Sequence, residues 1–166
     1  MNSKKNITVA FTGHREYSGS ADEALRQVVR DLYNENYRIF LCGMARGFDL
    51  AAGECILDLR NELADIELVC VIPFYGQEQS FSQIDRERFH RLTELSDDVI
   101  LLANEYSVGA FHSRNNFMIN KSSVMVAYYN GSAGGTHYTI HRAAKRGLRI
   151  INLCESREGE LFNNLK

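Results

Sequence analysis

The 166-residue chain has no tryptophan, a single proline and almost no net charge, with 19 Lys+Arg against 21 Asp+Glu for a formal balance of −2. Each shortage excludes something. One proline and 12 glycines rule out collagen-like and mucin-like chains. Near-neutrality, with a sequence pI of about 6.2, argues against the strongly basic domain that grips duplex DNA by bulk electrostatics, though a local basic patch stays open. No apolar run approaches the ~20 residues of a membrane span, and the polar residues 1–6 have no signal-type apolar region behind them. The four cysteines, Cys42, Cys55, Cys70 and Cys154, form no C-x-x-C pair. Cys42 and Cys70 sit inside apolar runs and read as small buried hydrophobes. The expectation is a cytoplasmic protein with no membrane contact, no metal and no required cofactor.

What remains is ordinary globular material, 45% hydrophobic and 24% charged, which excludes disorder. A chain of this length buries roughly 70% of its unfolded surface, enough for a core without disulfides. Residues 1–166 are expected to form one domain, with its core at about 7–153 and a tail at 154–166.

Six apolar runs of strand length recur, at 7–11, 38–42, 68–72, 99–102, 124–129 and 148–153. Several are apolar almost throughout, the pattern of parallel strands covered on both faces. Helical spacing separates them. Ser20-x-x-Glu23 reads as a capping box before Leu25, Val28, Val29 and Leu32. Further helices are expected at about 49–63, from Ser82 onward with Ile84 or Phe89, Leu92 and Leu95 facing inward, at 113–120, and at 136–146 with Gly147 as the residue after its end. The alternation implies an α/β fold, a Rossmann-like three-layer α/β/α sandwich around a mostly parallel sheet of about six strands. Residues 104–111 are the least regular stretch and read as a lid or a partner surface.

Ligands of open α/β sheets bind outside the carboxyl ends of the strands, so the residues just beyond each strand matter most. The first run leads into Thr12-Gly13-His14-Arg15, where glycine allows close backbone approach and Arg15 offers a forked partner for a phosphate. A solvated turn is the plainer reading. The second leads into Gly43-Met44-Ala45-Arg46-Gly47-Phe48-Asp49, a glycine-containing strand-to-helix loop of the kind that aims amides at an anion. Its spacing is neither a P-loop nor G-x-G-x-x-G. Asp49 reads either as the helix N-cap or as an acceptor for a ribose or base edge. Glu54 reads as a helix-surface or interface residue. The fifth leads into Asn130-Gly131-Ser132-Ala133-Gly134-Gly135-Thr136, where three glycines and two hydroxyls can cradle a phosphate or carboxylate. A flexible loop capped by Thr136 is the alternative.

Arg114 and Met118, four apart, share a helix face. If that helix packs beside the last glycine loop, Arg114 points at its anion. His137 and His141 have metal-pair spacing but no evident third ligand. Pro73-Phe74-Tyr75 is either an apolar wall for a base or a packed corner. No Ser-His-Asp, HExxH or G-x-S-x-G arrangement is present.

These segments together carry a resemblance. Residues 42–52, Cys-Gly-Met-Ala-Arg-Gly-Phe-Asp-Leu-Ala-Ala, resemble the Gly-x-Ala-Arg-Gly-x-Asp segment of DNA-processing protein A. Arg114-x-x-x-Met118 followed by Gly134-Gly135-Thr136 is similar to the layout of Lonely Guy proteins. Thr12-Gly13-His14-Arg15, Ile72-Pro73-Phe74 and Tyr128-Tyr129-Asn130-Gly131-Ser132 resemble the YpsA-type branch of the same SLOG superfamily. The resemblance spans about 7–153. It implies a Rossmann-like domain with a nucleotide-derived ligand, NAD- or ADP-ribose-like, over the glycine loops; the reading built on it is a binding or sensing protein acting through a protein partner. Gly13, His14, Arg15, Gly43, Arg46, Gly47, Asp49, Arg114, Gly131, Ser132, Gly134, Gly135 and Thr136 are then the ligand-binding candidates. A homodimer is expected because relatives are often dimeric. One alternative is hydrolysis of a nucleotide N-glycosidic bond, with Asp49 as the catalytic candidate. Lonely Guy enzymes place a glutamate just after Gly-Thr, whereas this chain has His137, Tyr138 and Thr139 there. The other alternative is single-stranded nucleic-acid binding, which the near-neutral charge opposes.

Overall fold

A computed structural model describes residues 4–154; the expected tail from 155 onward lies outside the described residues. The elements alternate as β1 (Thr8–Gly13), α1 (Asp22–Asn34), β2 (Ile39–Cys42), α2 (Phe48–Leu59), β3 (Glu67–Ile72), α3 (Gln83–Leu95), β4 (Asp98–Leu101), α4 (Ala110–Lys121), β5 (Val124–Tyr128), α5 (Gly135–Lys145) and β6 (Arg149–Asn152). The six strands form one sheet in the order β4-β3-β2-β1-β5-β6, and every pairing is parallel. The expected α/β sandwich is therefore the fold, and its sheet is parallel throughout.

Both faces of each central strand are apolar because both are covered. Val9, Phe11, Phe40, Cys42, Leu68, Cys70, Val124 and Val126 pack under α1, α2 and α3. The alternating residues Ala10, Leu41, Val69, Val71, Met125, Ala127 and Ile150 pack under α4 and α5. The strand order reverses between β1 and β5, so the chain diverges to the two sides from that point. Such a switch point opens a crevice at the carboxyl edge.

Several local expectations are corrected. The Ser20-x-x-Glu23 capping box does not form: Ser20 Oγ lies 3.1 Å from the Tyr128 hydroxyl. The Tyr17 hydroxyl instead accepts the Ala21 amide at 3.0 Å, so an aromatic side chain organises the start of α1. Helix α2 starts at Phe48 and stops at Leu59, short of residue 63. Helix α3 is capped by Ser82, whose hydroxyl accepts the Asp85 amide at 3.2 Å. Its buried residues are Phe89 and Leu92, while Ile84 and Leu95 are exposed. Helix α4 begins three residues earlier than expected, at Ala110. The end of α5 matches expectation: the amides of Gly147 and Leu148 donate to Ala144 and Ala143 carbonyls, closing the helix in a Schellman turn.

Glu54 is an interface residue, joined to Arg88 at 3.1 and 3.2 Å between α2 and α3. Cys42, Cys55 and Cys70 are buried. Among the described residues no helix is long and apolar enough to cross a membrane.

Candidate functional site

The loops after β1 and β2 are locked together before any ligand is considered. Gly13 ends β1 against the ring of Phe48, the first residue of α2. A Cβ at Gly13 would lie 2.4–2.6 Å from that side chain, so glycine alone lets the ring in. Gly47, at φ 83°, turns the chain into α2 while packed against the Arg15 backbone. The Phe48 amide then donates to the His14 carbonyl at 3.1 Å.

This early helix start decides the role of Asp49. Gly47 occupies the N-cap position, so the N-cap reading of Asp49 is overturned and the aspartate is the second helical residue. Its carboxylate reaches back into the loop, where Oδ2 accepts the Ala45 amide at 3.2 Å. Oδ1 is buried and, among the described residues, has no hydrogen-bond partner. A buried acceptor left this way costs about 1–3 kcal/mol. Burial pushes the Asp49 carboxyl up to about 6, against the opposing pull of Arg114, the Ala45 amide and Arg15.

Arg114 faces the same loop. It is buried, its Nη1 donates to the Gly43 carbonyl, and its Nε donates to Asn115 Oδ1 at 2.8 Å. The guanidinium therefore sits over the β2 loop beside Asp49, and it borders the same cleft as the last glycine loop. Burial lowers its pKa, with Asp49 pulling the other way. A Cβ on Gly43 would lie 3.0 Å from the guanidinium carbon, which explains the bare position beneath it.

The β5 loop forms the opposite wall. Asn130 ties it to β1: its amide donates to His14 Nε2 at 2.9 Å, which leaves the His14 proton on Nδ1. Burial lowers the His14 pKa and favours that neutral ring. The Asn130 side chain accepts both the Ser132 amide at 3.0 Å and its hydroxyl at 2.7 Å. The chain passes Gly131 and Gly134, both at positive φ, and enters α5 at Gly135. Thr136 is thus the second residue of α5 and not its cap. The first amides of the helix, Gly135, Thr136 and His137, have no acceptor within it, and its dipole adds positive character there. A Cβ on Gly134 or Gly135 would meet nothing within 4 Å. The loop presents open backbone to solvent.

Between these walls lies a cleft of about 650 Å³, within the usual range of small-molecule sites. Gly13, His14, Arg15, Gly43, Asp49, Arg114, Ser132, Gly134, Gly135 and Thr136 all border it. Met118, the helical neighbour of Arg114, does too. Of the remaining candidates, Gly47 is buried under Arg15 and shapes the loop from behind. Arg46 borders two adjoining cavities, each shared with Arg15, and Gly131 shapes the turn. Among the described residues neither Arg15 nor Arg46 makes a salt bridge.

Glu16 and Thr139, which sequence reading did not single out, also line the cleft, as do Asn115 beside Arg114 and Asn130 at the start of the β5 loop. The Asn115 amide donates to the Thr139 hydroxyl at 3.0 Å, joining α4 to α5. Residues 104–111 reach the site through Val108, 91% exposed, and Phe111 at its rim. The His137 and His141 rings lie 4.2 Å apart between centroids, tilted by 51° to each other, and His137 Nδ1 is hydrogen-bonded to the Tyr129 hydroxyl. Among the described residues no cluster of three or more His, Cys, Asp or Glu is placed to hold a metal.

Known proteins carry the same fold. DNA processing protein A of Streptococcus pneumoniae superposes with a TM-score of 0.62 at 20% identity, over 89% of this chain and 50% of that one. This chain thus spans half the length of that neighbour. The Helicobacter pylori protein of the same name, described for its single-stranded DNA binding mode, superposes with a TM-score of 0.68 at 17% identity, over 96% and 73%. By sequence, the SPbeta prophage-derived protein YoqJ of Bacillus subtilis is 27% identical over 75% of this chain and 80% of its own length. A UPF0398 protein of Bacillus velezensis is 28% identical over 75% and 70%. A family model described as the YspA SLOG family matches residues 7–150. With nearly the whole described fold inside that match, the chain belongs to the YspA SLOG family.

Proposed function

We propose that the cleft binds a nucleotide-derived small molecule, and that the protein works as a binding or sensing module. One observation carries the reading: the two glycine loops border a single cleft with opposite chemistry on its walls. The β5 loop offers open backbone amides at a helix N-terminus, which suits a phosphate. The β2 loop offers the unpartnered Asp49 oxygen, which suits a donor such as a ribose hydroxyl. An anion at one end and a hydroxyl donor at the other describe a sugar phosphate. Arg15 borders the cleft and can add phosphate charge, while Arg46 stands beside Arg15 in the adjoining cavities.

The test is calorimetry and thermal unfolding with AMP, ADP-ribose and NAD. A ligand at about 100 times its Kd stabilises by ~2.7 kcal/mol, a rise in Tm of about 5–10 °C for a domain of this size. No shift with any of the three at millimolar concentration contradicts the proposal.

Two other readings have specific support. A buried carboxyl held near pH 6 is matched to acid–base work, which favours hydrolysis of an N-glycosidic bond by Asp49. Release of free base from the bound nucleotide is its signature. The fold shared with a single-stranded DNA binder favours binding of a single strand. Oligonucleotide affinity that falls steeply with salt is the signature there.

A further inference from the structure

The cleft continues, past Arg15, Ala45 and Phe111, into a second cavity of about 270 Å³. Its character is different. Three half-buried phenylalanines, Phe74, Phe81 and Phe111, line it. Phe74 and Phe111 meet edge to face at 5.7 Å, and the Arg15 guanidinium lies 5.6 Å from the centre of the Phe111 ring at the junction of the two cavities. In the same wall is Gln77, only 4% exposed. Its Oε1 is buried and has no hydrogen-bond partner among the described residues.

An apolar slot does not explain a buried amide, and a packed corner does not leave its oxygen unpaired. Gln77 comes directly after Gly76, at φ 89°, in a short 3-10 turn beyond β3. The turn carries the side chain inward where a leucine would satisfy packing. An amide offers a donor and an acceptor side by side, the pattern complementary to the edge of a nucleobase. Aromatic side chains offer the faces on which a base stacks.

We propose that this cavity holds the nucleobase of the ligand, stacked among Phe74, Phe81 and Phe111 and read at its edge by Gln77. The proposal rests on the nucleotide reading of the adjoining cleft and names its ligand class: a nucleoside phosphate, with phosphate at the β5 loop and base beyond Arg15. Binding then depends on the base as well as the anion.

The experiment compares ribose 5-phosphate with the four nucleoside 5′-monophosphates by calorimetry on the full chain. The best-bound nucleotide is expected to bind at least ~10-fold more tightly than ribose 5-phosphate. Gln77→Met, similar in length but without the amide, is expected to shrink that ratio at least ~5-fold. Where Gln77→Met fails to fold, Gln77→Glu replaces it, and the wild-type ratio already decides. Equal affinity for ribose 5-phosphate and every nucleotide overturns the base cavity while leaving the phosphate site standing. A ratio untouched by a folded Gln77 variant removes Gln77 from the role. Binding of none of the five overturns the underlying site and this inference with it.

Discussion

Replacing Asp49 with asparagine stabilises the protein at pH 8 and weakens ligand binding at the same pH. The sign is set by where the carboxyl titrates. In the unfolded chain its pKa is 3.8, and in the folded protein burial raises it to about 6. The fold therefore prefers the protonated form. Stability from this preference is fully present below 3.8 and is lost as pH rises through 6. Above that, the ionised group costs the fold up to about 3 kcal/mol. Asparagine is neutral throughout and keeps an oxygen for the Ala45 amide. Urea unfolding of the two proteins is expected to differ by about 2–3 kcal/mol at pH 8, with the gap closing towards pH 4. The attraction to Arg114 is already contained in the folded value, so it does not reverse the sign. A less stable Asp49→Asn variant at pH 8 would show that the Asp49–Arg114 pairing outweighs burial. A residue that costs the fold and sits on the wall of a cleft is a candidate ligand contact, the role proposed above for Asp49. The same variant is expected to lose at least ~10-fold in nucleotide affinity.

Gly47→Ala has the largest expected effect on stability, a loss of about 3–5 kcal/mol. Two independent costs meet at this position. The backbone at φ 83°, ψ −125° is open to glycine and strained for alanine. The new Cβ would stand 2.3 Å from the Arg15 carbonyl oxygen, and that neighbour is backbone that cannot rotate away. Relief requires the β1 and β2 loops to part, which carries Phe48 out from over Gly13. Tm is expected to fall by about 6–20 °C. Gly135→Ala makes the contrast. It stands in the first turn of α5, where a Cβ meets nothing within 4 Å. Its stability is expected to change by less than ~1 kcal/mol, while its methyl group intrudes on the amides offered to the ligand. On the proposed reading, one glycine holds the architecture and the other keeps the cradle open. Equal destabilisation by both substitutions contradicts this division.

The strands were legible because both faces of a parallel sheet are buried, which leaves apolar runs such as those around Phe40 and Val69 that need no alternation. Helix starts were less so. Ser20 and Glu23 have the spacing of a capping box, but Tyr17 reaches the Ala21 amide from outside the helix, a contact four residues back that no local pattern shows. Asp49 stood in a good position for an N-cap. The positive φ of Gly47 starts the helix earlier and converts the cap into an inward carboxylate. The site was legible where glycine and hydroxyl residues cluster at strand ends. Arg114 stood out as a candidate, but its direction depends on how α4 lies across β1 and β3, which sequence spacing does not contain. Gln77 was missed because nothing marks it: one amide in a polar turn looks the same whether it is buried or not.

Amide mapping by NMR, during titration with the nucleotide that binds best, tests the shared cleft without any substitution. If both glycine loops hold the ligand, the largest shifts fall together on Ala45 and on Gly134, Gly135 and Thr136, residues about 90 positions apart in the chain that border one cleft. Shifts centred instead on the polar groove around Arg26, Asp58 and Arg88, with the two glycine loops unmoved, would contradict a ligand held between them.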